Sequence, residues 1–205
     1  MPRLAAGDRR EALVEAALRV MGRDGLAAGT TRAVVAEAGM SLASFHYVFA
    51  SRDELLAELV RRVVGRELAT ATAALDAAAI DPAAGPADCL RAAARGYLGH
   101  LEADPGAEQL MLELTLHAVR EPDLRPVARE QYRAYAAAAA ALLERAAART
   151  GARWRGPLAE PARVLVTLVD GATTTWLVDR DTAATRATLD AAVDLLVARY
   201  AVVPA

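Results

Sequence analysis

The sequence predicts an all-α fold, and three observations carry that prediction. Hydrophobic residues make up 55% of the chain, but much of that share is Ala, the strongest helix former, while β-branched and aromatic runs are few. Apolar residues recur at three- and four-residue spacings in segment after segment, the stripe of a half-buried helix. The segments are punctuated by Asp-Pro, Gly-Pro, Glu-Pro and lone Gly breaks, which end helices. About nine helices are expected, divided into an N-terminal three-helix part at residues 1–50 and a larger helical body at residues 51–205.

The first helix is expected to run to about Asp24, with Asp8 or a neighbour as its cap. Leu13, Ala17, Val20 and Met21 fall on one stripe, and Gly25 closes it as a left-handed cap. Arg3, Arg9 and Arg10 sit at its front, either as a solvated tail or as an arm touching a DNA backbone. A second helix starts at Gly29-Thr30-Thr31 with a Thr as N-cap, and Val34, Val35 and Ala38 are its apolar positions. Gly39 ends it, because a left-handed residue makes a sharp turn cheap. Ser41 caps a third helix, roughly Leu42 to Val48. Two short helices joined by a Gly-containing turn of three or four residues are the helix-turn-helix signature, although helical hairpins with Gly also occur without that role. Ser51 and Glu54 have capping-box spacing and open a fourth helix to about Ala79, with Leu55, Leu56, Leu59, Val60 and Val63 inward. No flexible linker separates it from the turn-helix pair.

Asp81-Pro82 and Gly85-Pro86 break the chain. A fifth helix is expected over about Ala87 to Ala103 with Leu90, Ala94, Tyr97 and Leu101 inward. A sixth covers about Gly106 to Arg120, with Leu110, Met111, Leu114 and Ala118 inward. A long seventh follows from about Leu124 to Arg149, with Pro126 tolerated in its first turn. The eighth spans about Glu160 to Val178 and the ninth about Thr182 to Tyr200. Their stripes are Val164, Leu168, Ala172, Trp176 and Leu189, Val193, Leu196, Val197, Tyr200. Apolar residues cover a wide arc of both, which suits either a core or a face shared with a second copy. No strand signal and no internal repeat is seen.

Composition excludes several classes of function. Every fixed basic side chain is Arg, since there is no Lys, and Ile occurs only at Ile80. Net charge is −2, so the chain is not a globally basic nucleic-acid binder. Residues 1–66 carry ten Arg against eight Asp/Glu, a mildly positive half. The single Cys89 rules out an internal disulfide framework and a multi-cysteine zinc site. His46, His100 and His117 are too scattered for a metal site, and no metal or cofactor is expected. No Gly-x-Ser-x-Gly, P-loop or dinucleotide-binding Gly pattern occurs, so catalysis finds no support. Neither a secretory h-region nor a stretch of about 20 apolar residues is present, so a cytoplasmic protein with no membrane partner is expected.

The stretch from Thr30 to Leu56 resembles the N-terminal domain of the TetR family of bacterial transcriptional regulators. Thr30, Val34, Ala38, Gly39, Met40 and Ser41 match its first half. The aromatic-rich run Ser44-Phe45-His46-Tyr47-Val48-Phe49, followed by Arg52, Asp53, Glu54, Leu55 and Leu56, matches its second. His46 stands where the family often has Tyr, Tyr47 where His is common, and Arg52 where Lys is usual. The resemblance covers about residues 8–60, and beyond it extends only to helix number, length and order. It implies a helix-turn-helix DNA-binding domain joined to a ligand-binding and dimerisation domain, acting as a homodimer on double-stranded operator DNA. It also implies a small-molecule effector between the middle helices and a dimeric bundle of the last two. The expected activity is a transcriptional repressor released from a palindromic operator by its ligand. An all-α small-molecule binding module without DNA binding is the other reading.

Candidate residues follow. Thr30, Thr31 and Arg32 lie at a helix N-terminus, where N–H groups and the dipole favour a phosphate, although Thr30 also serves as a cap. Ser41, Leu42, Ala43 and Ser44 open the reading helix: Leu42 and Ala43 suit a thymine methyl, Ser41 and Ser44 a phosphate or base edge. Phe45 and Phe49 read as core. His46, Tyr47 and Arg52 are expected at phosphates, the last on its family position. Tyr97, Met111, Leu114, His117, Tyr132, Tyr135 and Trp176 are candidates for a ligand pocket, or equally for plain core. Val164, Leu168, Leu189, Val193, Leu196 and Tyr200 are the candidate dimer face.

Overall fold

The computed structural model describes residues 5–78 and 85–202; Arg3 and the Asp81-Pro82 break lie outside them. Among the described residues there are nine α-helices: α1 (Ala6–Asp24), α2 (Thr31–Glu37), α3 (Leu42–Val48), α4 (Arg52–Ala77), α5 (Pro86–Ala103), α6 (Pro105–Arg120), α7 (Arg125–Thr150), α8 (Ala159–Asp179) and α9 (Thr182–Tyr200). The helices from α2 onward start within two residues of their expected places, α1 starts about three residues early, and the expected end of α4 near Ala79 lies outside the described residues. Single 3-10 turns at Leu26–Ala28 and Pro122–Leu124 precede α2 and α7. The expectation of no strand is corrected by one short antiparallel pair, β1 (Arg153–Trp154) with β2 (Ala201–Val202). Two residues are too few for an alternating pattern to register in a sequence.

The chain forms two compact units. The first contains the described residues up to Val63 together with Gly106–Tyr132; the second contains Val64–Pro105 and the described residues from Arg133 onward. Helix α4 contributes to both and is unbroken from Arg52 to Ala77.

In the first unit the expected stripe of α1 is buried, as are Val34, Val35, Phe45, Phe49 and the leucines that open α4. Leu110, Met111, Leu114 and Ala118 of α6 complete this core. Two details differ from expectation. Asp8 does not cap α1, whose N-cap is Ala5; its carboxylate sits in the first turn, facing the positive end of the dipole. Gly25 ends the helix with φ 84° and ψ 164°, outside the left-handed helical region. Helix α6 is tied to the N-terminal helices by the amide of Leu26, which donates to Glu113 Oε2 at 2.8 Å.

In the second unit, Leu75, Cys89, Leu90, Leu143, Ala162, Val193 and Leu196 bring α4, α5, α7, α8 and α9 around one core. A satellite cluster holds Leu98, Leu101, Ala172, Trp176 and Leu189. Helices α4 and α5 approach so closely at Gly96 that a Cβ there would lie 2.5 Å from Ala74 Cβ and 2.9 Å from the Thr70 carbonyl oxygen. Arg149 donates to the carbonyls of Asp76 and Ala78 at 3.0 and 3.2 Å, satisfying the C-terminal end of α4.

Candidate nucleic-acid interface

The turn between α2 and α3 is built by local bonds that the sequence announces. Thr30 Oγ1 accepts from the Ala33 amide at 3.2 Å and starts α2. At its other end the Gly39 amide donates to the Ala36 carbonyl and the Met40 amide to the Val35 carbonyl, a Schellman motif, with Gly39 at φ 64°. Ser41 Oγ then accepts from the Ser44 amide at 3.2 Å and starts α3. Ser51 repeats the device for α4, accepting from the Glu54 amide at 3.1 Å, while Glu54 Oε2 accepts from the Ala50 amide at 2.8 Å.

Seven residues cannot hold a helix alone, so α3 depends on what lies beneath it. Phe45 and Phe49 are both buried, with ring centroids 5.5 Å apart, and fix its inner side. Its outer side carries Leu42, Ala43, His46 and Tyr47, all exposed; Leu42 is 43% and Tyr47 68% accessible. A large aromatic that open to water is unusual beside Phe45 and Phe49, which are both buried. Ser41, Thr30 and Arg32 are also exposed, and Thr31 and Ser44 are half-buried.

Arg52, expected at a phosphate, has partners within the chain. Its Nε donates to the Gly29 carbonyl at 3.0 Å and its Nη2 to the Leu26 carbonyl at 2.9 Å. It braces the turn that delivers the chain to Thr30. Arg10, left between tail and DNA arm by the sequence, is also turned inward: its Nη1 donates to the Val48 carbonyl at 2.7 Å and its Nη2 to Glu54 Oε1 at 3.0 Å. Neither bond could be read from local pattern, since the partners are 38 and 44 residues away. Its neighbour Arg9 instead lies with its guanidinium carbon 5.3 Å from the Tyr47 ring centroid.

These contacts set the electrostatics of the unit. The Ala50 amide and then Arg10 hold the Glu54 carboxyl below its ordinary value. Glu58 is held down first by Arg61 and then by Arg10. Across α1 and α4, Arg62 bonds Glu11 at 2.9 Å and faces Glu15 at 3.3 Å.

The ligand-pocket candidates fall in both units. Tyr97 and Trp176 meet in the satellite cluster of the second unit, where Tyr97 Oη and Thr173 Oγ1 share a 2.6 Å hydrogen bond. The Trp176 indole donates to Thr182 Oγ1 at 3.1 Å, and the Arg180 guanidinium lies over its ring. Tyr135 is half-buried in the same unit. Met111 and Leu114 are core of the first unit, and His117 and Tyr132 of that unit are exposed.

The dimer-face candidates lie on the inner side of α8 and α9. Leu189, Val193 and Leu196 are buried within the single chain, and Val164, Leu168 and Tyr200 are half-buried. The exposed side is the opposite one: Thr167, Gly171, Thr174 and Val178 on α8, and Ala184, Thr188, Ala191 and Leu195 on α9. Among the described residues no group of three or more His, Cys, Asp or Glu is placed to hold a metal ion. No described helix is long and apolar enough to cross a membrane.

Comparison with known proteins decides the family. The family model for bacterial regulatory proteins of the tetR family matches residues 13–59, which span the core of the reader. A second, for the C-terminal part of BetI-type transcriptional repressors, matches residues 86–198. The chain belongs to the TetR family. Among curated TetR-type relatives, the nicotine-responsive transcriptional repressor HdnoR of Paenarthrobacter nicotinovorans is 41% identical over 66 residues, covering 30% of this chain and 34% of that protein. The regulator BetI of Rhizobium meliloti is 44% identical over 71 residues, 35% of each chain. The chain thus matches about a third of the length of these curated relatives. Among solved structures, the multidrug binding protein EbrR complexed with imidazole is 35% identical over 90% of this chain and 94% of its own, with a TM-score of 0.63. A transcriptional regulator from Rhodococcus sp. Rha1 shares the fold, with a TM-score of 0.69, 23% identity, and coverage of 95% and 99%.

Proposed function

We propose that this TetR-family chain is a cytoplasmic transcriptional repressor that binds operator DNA as a homodimer and is released by a small organic effector. The observation that carries the DNA-binding part is the outward face of α3. Leu42, Ala43, His46 and Tyr47 are exposed on the outer side of a helix anchored by two buried phenylalanines, with the Arg9 guanidinium 5.3 Å from the Tyr47 ring. A short helix with small and apolar residues at its start suits a major groove, where Leu42 and Ala43 can meet thymine methyls and Ser41 a phosphate. Thr30, Thr31, Ser44, His46 and Tyr47 supply further hydroxyl and imidazole groups for the backbone, and Arg32 a charge beside them.

Dimerisation is proposed through the exposed sides of α8 and α9. Thr167, Gly171, Thr174 and Val178 repeat at intervals of four, three and four residues, as do Ala184, Thr188, Ala191 and Leu195. That repeat is the seam of helices packed side by side, and small residues at it let backbones approach. The effector is proposed to bind in the second unit near Tyr97, Thr173 and Trp176, where hydroxyls meet aromatic faces. HdnoR is nicotine-responsive and EbrR has been seen with imidazole and with proflavin, which supports a small organic molecule here. The relatives are regulators, and no enzymatic activity is proposed.

Fluorescence anisotropy on duplexes from the DNA upstream of the protein's own gene tests this reading. The double substitution His46→Ala with Tyr47→Ala should remove binding while the protein stays dimeric by sedimentation. Unchanged affinity would rule out this face as the reader.

A further inference from the structure

The Arg9-Arg10 pair at the front of α1 looks like one basic patch in the sequence, but the structure gives the two side chains different surroundings. Arg10 donates from each of its three nitrogens to a protein acceptor. Nη1 reaches the Val48 carbonyl at 2.7 Å, Nη2 reaches Glu54 Oε1 at 3.0 Å and Glu58 Oε2 at 3.1 Å, and Nε reaches Glu58 Oε2 at 3.3 Å. The Phe49 ring covers one face, with its centroid 4.3 Å from the guanidinium carbon. One planar cation therefore joins α1, the last carbonyl of α3 and the first two turns of α4.

We propose that Arg10 is the positioning residue for α3: it fixes the C-terminal end of the reading helix and makes no contact with DNA itself. The inference rests on the reading of α3 as the DNA-reading helix. A seven-residue helix has most of its carbonyls near an end, and those at its C-terminus attract a cation. Phe45 and Phe49 set how deep α3 sits. A pair of rings still permits the helix to rock about them, and the bond from Arg10 to Val48 holds the end that would move. The two glutamates orient the guanidinium so that one edge faces Val48, which the single ammonium of Lys would not reproduce.

The test uses the full chain with two duplexes of equal length: one that the wild-type protein enriches from a randomised library, and a scrambled one. Affinities are measured over a series of salt concentrations for wild type, Arg10→Gln, Arg10→Lys and Glu58→Gln. Arg10→Gln should weaken binding to the selected duplex roughly ten- to hundred-fold, the scale of one lost base contact. The scrambled duplex should change by less than about three-fold, and the dependence of log affinity on log salt should keep its slope, because no phosphate contact is lost. Glu58→Gln removes a negative charge from the DNA-binding unit, so electrostatics alone would tighten binding to both duplexes; a positioning role instead requires weaker binding to the selected one. Arg10→Lys should fall between wild type and Arg10→Gln.

A slope shallower by about one, with equal losses on both duplexes, would make Arg10 a phosphate ligand and overturn the proposal. So would tighter binding by Glu58→Gln, equal losses on both duplexes at constant slope, or no change at all. If Arg10→Gln fails to fold, Glu58→Gln and Arg10→Lys decide the matter. Failure of the wild-type protein to enrich any duplex would instead refute the DNA-reading assignment itself.

Discussion

Replacing Arg52 by Ala separates a brace from a phosphate ligand. The substitution removes two hydrogen bonds from a charged donor, at 3.0 and 2.9 Å, to the carbonyls of Gly29 and Leu26. Hydrogen bonds to charged groups contribute about 1.5–3 kcal/mol each when sheltered. Arg52 is half-buried, so about 1–1.5 kcal/mol apiece is the appropriate scale, or roughly 2–3 kcal/mol in all. At about 2–4 °C per kcal/mol for a chain of this size, the melting temperature should fall by roughly 4–12 °C. DNA affinity should fall with it, because the braced turn ends at Thr30, the cap of α2. Thermal melts followed by circular dichroism supply the first number and anisotropy the second. An unchanged melting temperature, with a salt slope shallower by about one, would show that Arg52 meets a phosphate and that its inward bonds contribute nothing.

Three further outcomes are expected. Gly96→Ala should destabilise the second unit by about 1–3 kcal/mol, because the new methyl meets Ala74 and the rigid Thr70 carbonyl, and chemical denaturation would show it. The Glu54 and Glu58 carboxyls are more acidic in the folded protein than their ordinary value of 4.5, so protons bind the unfolded chain more readily. Their contribution is fully present above about pH 4.5 and is lost as pH falls through the lower folded values; melts at pH 3–7 should show a drop below pH 4.5 that is smaller in Arg10→Gln. Leu195→Arg, on the exposed side of α9, should shift sedimentation to the monomer, whereas Leu196→Ala, on the buried side, should cost about 2–5 kcal/mol of stability and leave the assembly state alone.

The parts of the fold that the sequence disclosed are those held by neighbours along the chain. Thr30, Ser41 and Ser51 cap within three residues, and Gly39 turns within a Schellman motif, so their residue types suffice to place α2, α3 and α4. The roles of Arg10 and Arg52 depend on partners 23 to 48 residues distant, and no local pattern distinguishes a braced arginine from one facing DNA. The stripe Leu189, Val193, Leu196 marks the inner side of α9, but a stripe alone does not say whether it meets the core or a second copy. Leu195 and Leu196 are adjacent and equally apolar, yet one is 68% exposed and the other buried. An aromatic at helical spacing likewise looks alike in either unit, so the sequence could not tell a pocket wall from plain core.

The central claim is that the exposed face of α3 reads DNA. Its most direct measurement is the affinity of the wild-type protein for a duplex from its own upstream region, compared with a scrambled duplex, across a salt series. The account predicts tighter binding to the upstream duplex and a log–log salt dependence several units steep, from phosphate contacts by both halves of a dimer. Equal and salt-insensitive affinity for the two duplexes would contradict it.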